Sequence, residues 1–365
     1  MGDSFVIEHG AYPSLHWEDV NEGDVLPSFE YELSLVRLVA FVRATGLYDY
    51  VHHDAKYAQA VGTKDAFIST PHVGGLFTRL ITDWSGPASL LRRITFRMTT
   101  QCLRDDMLTV TGKVGRKYRG DDGSYLVDIV DLNIATQSAP SAANATATIE
   151  MPSADGRIPG VFRQRLPGEE PGPNEDMPDF ARAMMGEERE GNWEPHDPLL
   201  ASDVHLWCEA LEDWNPLYWD KDYASASPFG TVISPPTGMF TGAGSALNVG
   251  LGYRKPGADV PEPIKQGLQG MELMTALRKD LIKGGIPFPP PDCPEAVVTQ
   301  ADFNFYTPLR VGDTLRTRQR LVSCSPQRKT RLGEGHFVTG ENMLFNQRDE
   351  LVRTVAMSLF CYRAA

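Results

Sequence analysis

The sequence lacks any cysteine pattern that would organise a fold or a metal site. Its cysteine count is odd, and no two cysteines are spaced as CxxC. A disulfide framework needs paired cysteines, and a structural zinc site needs closely spaced ones. We therefore expect neither a disulfide framework nor a bound metal. The cysteines are Cys102, Cys208, Cys293, Cys324 and Cys361.

Positive charge and long apolar runs are also scarce. The chain has 35 Lys and Arg against 48 Asp and Glu, which gives a formal net charge of −13. Nucleic acids are bound through basic surface, so we expect no nucleic-acid partner. No stretch approaches the ~20 apolar residues of a membrane span, and residues 1–14 lack the basic start and apolar run of a signal peptide. We expect a cytoplasmic protein with no membrane partner.

An internal repeat is the most informative feature that the sequence does contain. Residues 46–62 read GLYDYVHHDAKYAQAVG, and residues 212–230 read EDWNPLYWDKDYASASPFG. A constant offset of 166 places His52 on Tyr218, Asp54 on Asp220, Tyr57 on Tyr223 and Ala58 on Ala224. The chain of 365 residues is 41 % apolar and long enough for two domains, each with its own core. We expect one domain for each copy.

A helix precedes each copy of the repeated segment. In the first half Ser34 is a suitable N-cap, and in the second half Ser202 is. Apolar residues follow each cap at helical spacing, which predicts one buried face per helix. The predicted faces consist of Leu35, Leu38, Val39 and Val42 in the first half, and Val204, Trp207, Cys208 and Leu211 in the second.

A second helix and four strands follow each copy. In the first half this helix spans about 72–83, after Pro71, and in the second half ISPPTGMF (233–240) opens it. Alternating apolar residues and turn residues predict the strands. They lie at 90–99, 107–114, 124–136 and 143–151, and again at 299–306, 313–323, 334–345 and 350–363.

The repeated order predicts an α+β fold with two units in one chain. Each unit is a sheet wrapped around one apolar helix, and two such units pair as a pseudo-symmetric dimer within the chain. We expect domains at 1–150 and 196–365, joined by a linker at 151–195 rich in Pro, Gly and Glu. An insertion at about 248–296 carries a helix with Met271, Met274 and Leu277 on one face. This helix is either surface packing or a lid over a site for a bulky ligand.

These segments resemble the MaoC-like hydratases, which have the hotdog fold. In the first half VHHDAKYAQAVGTKDAF (51–67) and GLFTRLITDWSGP (75–87) are similar to the small catalytic subunit of the mycobacterial steroid side-chain enoyl-CoA hydratase. In the second half DWNPLYWDKDYA (213–224), ISPPTGMF (233–240) and FNFYTPLRVGDTL (303–315) resemble the non-catalytic MaoC-type half. The resemblance implies two fused hotdog domains, the second of them degenerate.

The resemblance also implies a catalytic dyad of His and an Asp five residues before it. His52 matches the family His, but Leu47 occupies the Asp position. In the second half Asp213 matches the Asp, and Tyr218 occupies the His position. Each half therefore holds one member of the dyad. Gly75 matches the glycine whose backbone N–H polarises the thioester carbonyl at the start of the central helix.

Several other residues are candidates for the site in the first half. Asp49, three residues before His52, is an acid that can replace the carboxylate lost at Leu47. Tyr48 and Tyr50 flank Asp49 as phenolic donors or as packing residues. Gly74 and His72 lie near the helix start, where they either contact the thioester or only pack. The remaining candidates have mainly structural alternatives: His53 and Asp54 as loop and cap residues, and Arg92, Arg93 and Arg97 as phosphate ligands or a solvated strand face.

The resemblance implies a hydro-lyase that acts at the 2,3 position of a bulky acyl-CoA thioester, with a steroid side chain as one candidate acyl group. Such an enoyl-CoA hydratase or 3-hydroxyacyl-CoA dehydratase needs no cofactor, since CoA is part of the substrate. Two alternatives stay open because Leu47 cannot exchange a proton. One is an acyl-CoA-binding protein without activity. The other is different thioester chemistry in the same pocket: hydrolysis, isomerisation or a carbon–carbon step. We expect an intrachain pseudo-dimer, alone or as a homodimer of it.

Overall fold

The computed structural model describes residues 13–165, 173–190, 198–238 and 295–364, together with residues 260, 262–268, 272, 273, 276, 290 and 293. The predicted helix face of Met271, Met274 and Leu277 lies outside the described residues, as does most of the insertion at 248–296. The second-half helix predicted to open within 233–240 would continue beyond residue 238, and so also lies outside them.

The first half contains the predicted helices and strands in the predicted order. They are β1 (Phe29–Glu32), α1 (Leu35–Thr45), a 3-10 helix (Tyr50–His52), α2 (Ala55–Ala60), α3 (Thr70–Ser85), β2 (Leu90–Met98), β3 (Met107–Arg119), β4 (Tyr125–Ala135) and β5 (Ala143–Glu150). A further 3-10 helix spans Trp17–Asp19. Ser34 caps α1, because its hydroxyl accepts a hydrogen bond from the Arg37 N–H.

The second half repeats this order. Its elements are α4 (Asp179–Arg182), β6 (Glu188–Glu190), α5 (Ala201–Leu211), α6 (Pro216–Trp219), α7 (Lys221–Ala226), α8 (Glu262–Lys265), β7 (Glu295–Phe305), β8 (Leu315–Cys324), β9 (Arg328–Thr330), β10 (Gly333–Asn346) and β11 (Leu351–Ala364). The four long strands confirm the sequence prediction. Within the described ranges no helix is long and apolar enough to cross a membrane.

One antiparallel sheet runs through both halves. Its strand order is β1-β3-β4-β5-β2-β7-β11-β10-β8-β6, and β9 pairs with β10. Strands β2 and β7 join the halves over residues 93–97 and 300–304, with Thr95 opposite Asp302 at the centre. One residue beyond each of these, Phe96 and Phe303 stack with their ring centroids 5.9 Å apart. A pseudo-twofold axis therefore passes between Thr95 and Asp302, which confirms the α+β pseudo-dimer.

Helix α3 is the central apolar helix of the first half. Its buried residues include Leu76, Phe77, Leu80 and Ile81, and it contacts strands β2 and β3 and helix α5 of the other half. Helices α1 and α5 also pack on each other. The core is continuous across the two halves, so residues near α3 are held by both.

Two helix predictions need correction. Leu35 and Val39 are 40 % and 47 % exposed, so they do not belong to the buried face of α1. That face is centred instead on Leu38 and Phe41, because α1 packs sideways against α5. Ser202 is not a cap either, since α5 begins at Ala201. The carboxylate of Asp203 accepts a hydrogen bond from the Leu200 N–H at 2.9 Å and does the capping.

Candidate active site

His52 is held in one orientation by the loop that follows it. Its Nδ1 lies 2.8 Å from the carbonyl oxygen of Phe67, and its ring meets the Phe67 ring edge-on, 5.1 Å between centroids. A carbonyl oxygen only accepts, so Nδ1 carries the proton and donates. In the neutral imidazole Nε2 is then the basic nitrogen. His52 is 9 % exposed.

Asp49 shapes the turn that presents His52. It is the N-cap of the 3-10 helix Tyr50–His52, and its carboxylate accepts a hydrogen bond from the Val51 N–H at 3.3 Å. Burial lowers the pKa of His53, and the nearby carboxylates of Asp54 and Asp49 oppose this. Asp49 therefore lies close to His53. Its role as the acid that replaces Leu47 stays a prediction.

The neighbouring residues take structural positions that fit their sequence alternatives. The carboxylate of Asp54 accepts hydrogen bonds from two N–H groups and caps α2, as the cap alternative predicted. The Tyr50 ring packs 5.2 Å from His53 and 5.6 Å from Tyr57. Tyr48 is half-buried in the same loop. Donor roles for Tyr48 and Tyr50 stay predictions.

His72 lies fully buried in the first turn of α3. Its Nε2 is 3.0 Å from the Tyr31 hydroxyl, which in turn donates to the Ala210 carbonyl oxygen at 2.7 Å. The hydroxyl has one proton, so His72 Nε2 carries its own and donates it to Tyr31. The ring stacks on Phe41 at 4.0 Å. Burial and the nearby charge of His52 lower the pKa of His72 to about 3. His72 is thus a neutral neighbour of His52 whose Nε2 is used by Tyr31, and its contact with substrate stays a prediction.

The two glycines of α3 are explained by close packing. A Cβ on Gly75 would come 2.5 Å from Leu211 Cδ1, and one on Gly74 would come 3.1 Å from the Phe96 ring. Gly75 is the sixth residue of α3, one turn beyond the first N–H groups, which lack carbonyl partners inside a helix. The part of Gly75 in polarising a thioester stays a prediction.

The second copy of the motif is buried among carboxyl groups. Asp213 Oδ1 accepts a hydrogen bond from the Asn215 N–H at 3.1 Å. Burial and the Asp83 carboxylate raise the pKa of Asp213 to about 7, against the effects of Asn215 and Arg79. Burial and Asp213 also raise the pKa of the Tyr218 phenol well above its usual value. Tyr218 is therefore protonated at neutral pH, whereas Asp213 gains its proton as the pH falls through about 7.

The two motif copies lie at opposite ends of α3. The charge of His52 lowers the pKa of His72, so His52 lies near the first residue of this helix. The carboxylate of Asp83 raises the pKa of Asp213, so Asp213 lies near its last residue. Eleven residues of helix separate His72 from Asp83, which is about 16 Å. Pairing of Asp213 with His52 across the halves, which the sequence left open, is thus not the arrangement in the structure.

The arginines of β2 are bonded to side chains of the protein, and carboxylates neutralise two of them, Arg92 and Arg93. Arg92 is buried, and its Nε and Nη2 donate to Glu150 Oε2 at 2.8 and 2.5 Å. The solvated-face alternative is therefore wrong for Arg92, because an irregularity between Leu91 and Arg93 turns it inward. Arg93 donates to Asp302, also through Nε and Nη2. Arg97 donates to Gln300 Oε1 at 2.6 Å.

One functional candidate was missed by the sequence reasoning. Arg353 in β11 is 6 % exposed, and in the described part of the chain it has no carboxylate partner. A single arginine within a strand gives no sequence signal for this. Among the described residues, no group of three or more His, Cys, Asp or Glu is placed to hold a metal ion.

Comparison with known proteins shows where the chain belongs. The family model for the FAS1-like dehydratase domain region matches residues 183–355. A probable enoyl-CoA hydratase alpha subunit of Thermomonospora curvata is 34 % identical over 181 residues, which cover 49 % of this chain and 48 % of that protein. The chain thus spans about half the length of this relative. The 3-oxo-4,17-pregnadiene-20-carboxyl-CoA hydratase beta subunit of Mycobacterium tuberculosis is 32 % identical over 133 residues, 36 % of this chain and 96 % of that one.

Solved structures show the same fold. A MaoC domain protein dehydratase from Chloroflexus aurantiacus aligns with a TM-score of 0.62 at 11 % identity, and covers 98 % of this chain and 100 % of that one. A conserved hypothetical protein of Mycobacterium tuberculosis with a double hotdog fold aligns with a TM-score of 0.58 at 12 % identity, over 96 % and 99 % of the two chains. The predicted double hotdog is confirmed. This chain belongs to the MaoC-like, hotdog-fold family of enoyl-CoA hydratases and dehydratases.

Proposed function

We propose that this protein is a hydro-lyase that adds or removes water at the 2,3 position of an acyl-CoA thioester. The observation that carries the proposal is His52, which matches the family His and is held by Phe67 in the tautomer whose Nε2 is basic. An imidazole nitrogen that is free to accept a proton suits proton removal from water. Family membership and the names of the relatives support the same reaction class.

In the hydration direction, His52 Nε2 takes a proton from water while the water oxygen attacks C3 of the enoyl thioester. The electron pair of the double bond moves to C2 and onto the thioester oxygen. Backbone N–H groups in the first turn of α3 stabilise that oxygen, as does the positive end of the helix dipole. Gly75, one turn further on, occupies the family position in this helix. A proton returned to C2 completes the addition. We assign that proton to Asp49 or to the imidazolium of His52.

The acyl group is proposed to be bulky, with a steroid side chain as the first candidate. Support comes from the printed name of the Mycobacterium tuberculosis relative, a pregnadiene-carboxyl-CoA hydratase subunit. The chemistry draws on no cofactor besides the CoA carried by the substrate. We further propose a cytoplasmic protein whose two halves form the pseudo-dimer, alone or as a homodimer that size-exclusion chromatography with light scattering would detect.

Hydration of a panel of enoyl-CoA esters tests the proposal, with short, long and steroid-derived acyl groups. The variant His52→Ala removes the base, and His53→Gln is the matched control one residue away. We expect His52→Ala to lose about 10²-fold or more of the rate and His53→Gln to keep most of it. Equal rates for wild type and His52→Ala would remove His52 from the mechanism.

A second candidate function is favoured by Leu47. An apolar side chain at the family Asp position cannot transfer a proton, so the protein would bind acyl-CoA without turnover. In that case the wild type binds the ester but leaves it unchanged, and Leu47→Asp gains hydratase activity. Release of free CoA, detected with a thiol reagent, would instead indicate thioester hydrolysis.

A further inference from the structure

A small cavity lies between the two halves, beside the second copy of the motif. It has a volume of about 60 Å³. Its lining includes Tyr218, Ser234, Phe305, Leu309 and Arg353 of the second half, and Thr82, Ser89, Leu90, Leu91 and Arg92 of the first half. At roughly 10–15 Å³ for each water-sized position, this is room for about four to six such positions. The cavity therefore fits the end of a molecule and not a whole acyl chain.

Arg353 lines this cavity, and one edge of its guanidinium has no hydrogen-bond partner among the described residues. Its Nη1 donates to the carbonyl oxygens of Pro236 and Gly238 at 2.9 and 2.7 Å. Its Nε is buried without an acceptor in the described part of the chain, and no hydrogen bond of Nη2 is found there either. The edge formed by Nε and Nη2 is thus left for a ligand.

The charge of Arg353 is also uncompensated. No ion pair involves it among the described residues, and burial alone lowers its pKa to about 10, so it stays cationic at neutral pH. A buried charge without a partner is costly, and proteins normally supply a counter-charge. Two carbonyl oxygens satisfy hydrogen bonds but bring no negative charge. A bound anion would supply it.

Two other arginines of this protein show what the Nε–Nη2 edge prefers. Buried Arg92 uses this edge for one oxygen of Glu150, and exposed Arg93 uses it for both oxygens of Asp302. Both partners are carboxylates, which suit the planar fork of a guanidinium. Arg353 has no such partner among the described residues.

Arg353 is specific to the second half. The pseudo-twofold axis makes Thr95 and Asp302 equivalent positions. Met98, three residues after Thr95, is therefore equivalent to Phe305, three residues after Asp302. Met98 pairs with Ala143 and Phe305 pairs with Arg353. Arg353 therefore replaces a small apolar residue of the half that carries His52, so the two motif copies differ in what they can bind.

A second polar group lines the cavity. The Tyr218 hydroxyl has no hydrogen-bond partner within the described ranges, although the residue is buried. Its raised pKa keeps it protonated, as a donor. The remaining wall is mostly apolar, with Leu217, Ile233, Leu309 and Val352. Hydrogen-bond donors on Arg353 and Tyr218 beside an apolar wall suit a ligand with a negatively charged group on a short hydrocarbon chain.

We propose that this cavity binds a carboxylate group on a short aliphatic stem, held by the Nε–Nη2 edge of Arg353 and the Tyr218 hydroxyl. The site is separate from His52, because Thr82 lies near the end of α3 whereas His72 lies at its start, about 15 Å away along the helix. The inference goes beyond the proposed hydratase reaction and does not depend on it. The carboxylate belongs either to a small free acid or to the end of a longer molecule.

Ligand binding without acyl-CoA tests the proposal. The melting temperature is followed with sodium acetate, sodium hexanoate, sodium phosphate and sodium chloride at one ionic strength, and ¹³C-acetate NMR measures binding directly. We expect a saturable rise of several degrees with acetate or hexanoate and none specific to phosphate or chloride. Tighter binding of hexanoate would assign the site to the end of a longer molecule, and tighter binding of acetate to a small free acid.

Variants decide whether Arg353 is responsible. Arg353→Met should abolish the response, and Arg353→Lys, which keeps the charge without the fork, should weaken binding at least tenfold. If Arg353→Met does not fold, Leu309→Phe fills the cavity with Arg353 intact and should abolish binding. No carboxylate response in the wild type, or an undiminished one in Arg353→Met or Leu309→Phe, would overturn the proposal. Hydratase activity enters none of these readouts.

Discussion

The Tyr31 hydroxyl donates a hydrogen bond to the Ala210 carbonyl oxygen at 2.7 Å and so links the two halves of the chain. Tyr31 is fully buried on β1, and Ala210 lies in the last turn of α5. The same hydroxyl accepts from His72 Nε2. Strand β1, the start of α3 and the second half are therefore held by one chain of hydrogen bonds.

Replacing Tyr31 with Phe should destabilise the protein. The change leaves the Ala210 carbonyl and the His72 N–H buried without partners, which costs about 1–3 kcal/mol for each such group. Urea unfolding measures the loss. Tyr118→Phe is the control, since its bond to Asp128 is only partly buried and should be worth less. Equal stability of Tyr31→Phe and wild type would contradict the linking role.

The effect of Gly75→Ala on the free energy of unfolding should change sign when Leu211 is replaced with alanine. In the wild type the new Cβ meets Leu211 Cδ1 at 2.5 Å, and such overpacking costs about 1–3 kcal/mol. In a Leu211→Ala background the Leu211 contacts are gone, and the tight contact that remains is Trp207 Cζ2 at 3.2 Å, which a small shift of the ring relieves. Alanine should then gain up to about 1 kcal/mol from its better helix propensity. A double-mutant cycle by chemical denaturation checks this. Additive effects would show that Gly75 is required for another reason.

Asp213 should make stability fall as pH rises. Its pKa is about 7 in the fold and about 3.9 when unfolded. Between these values the folded state keeps a proton that the unfolded state releases, so stability declines from about pH 4 to pH 7 and then levels. Asp213→Asn removes this decline and should be the more stable protein at pH 8, by an amount on the order of a few kcal/mol.

The control for that experiment is Asp220→Asn at the exposed cap of α7. This variant should keep the decline of stability with pH, because Asp213 is still present. Thermal melts at pH 4.5, 6 and 8 are sufficient. A slope that survives in Asp213→Asn would assign the proton to Asp83, whose pKa is raised by burial as well.

Arg92→Met alone should destabilise the protein far more than the double variant Arg92→Met with Glu150→Gln. It leaves Glu150 buried and charged, a loss of about 3–5 kcal/mol, whereas Arg92→Met with Glu150→Gln leaves no charge and should recover most of it. The two unfolding midpoints in guanidinium chloride make the comparison. Similar midpoints would mean that water or a rearranged arginine reaches Glu150.

The fold was predictable because its signals are local. The Ser34 cap, the alternation in strands such as 143–151 and the repeated segment each depend on neighbouring residues only. The buried face of α1 was not predictable, because it depends on which side of this helix α5 covers. His52 was found through its motif. The distance between Asp213 and His52 was not predictable, because it depends on how the halves pack. The inward turn of Arg92 was not predictable either, because it depends on one irregularity in the pairing of β2 with β5.

The join between β2 and β7 has a consequence for how the halves can differ. In a dimer of two identical units, a residue on the twofold axis faces its own copy, so an aspartate would face an aspartate. Here Thr95 faces Asp302, and Asp302 is paired with Arg93 of the other half. Covalent fusion has thus freed the central seam from self-complementarity. The seam therefore favours pairing of a first half with a second half, because two second halves would place Asp302 opposite Asp302 without Arg93.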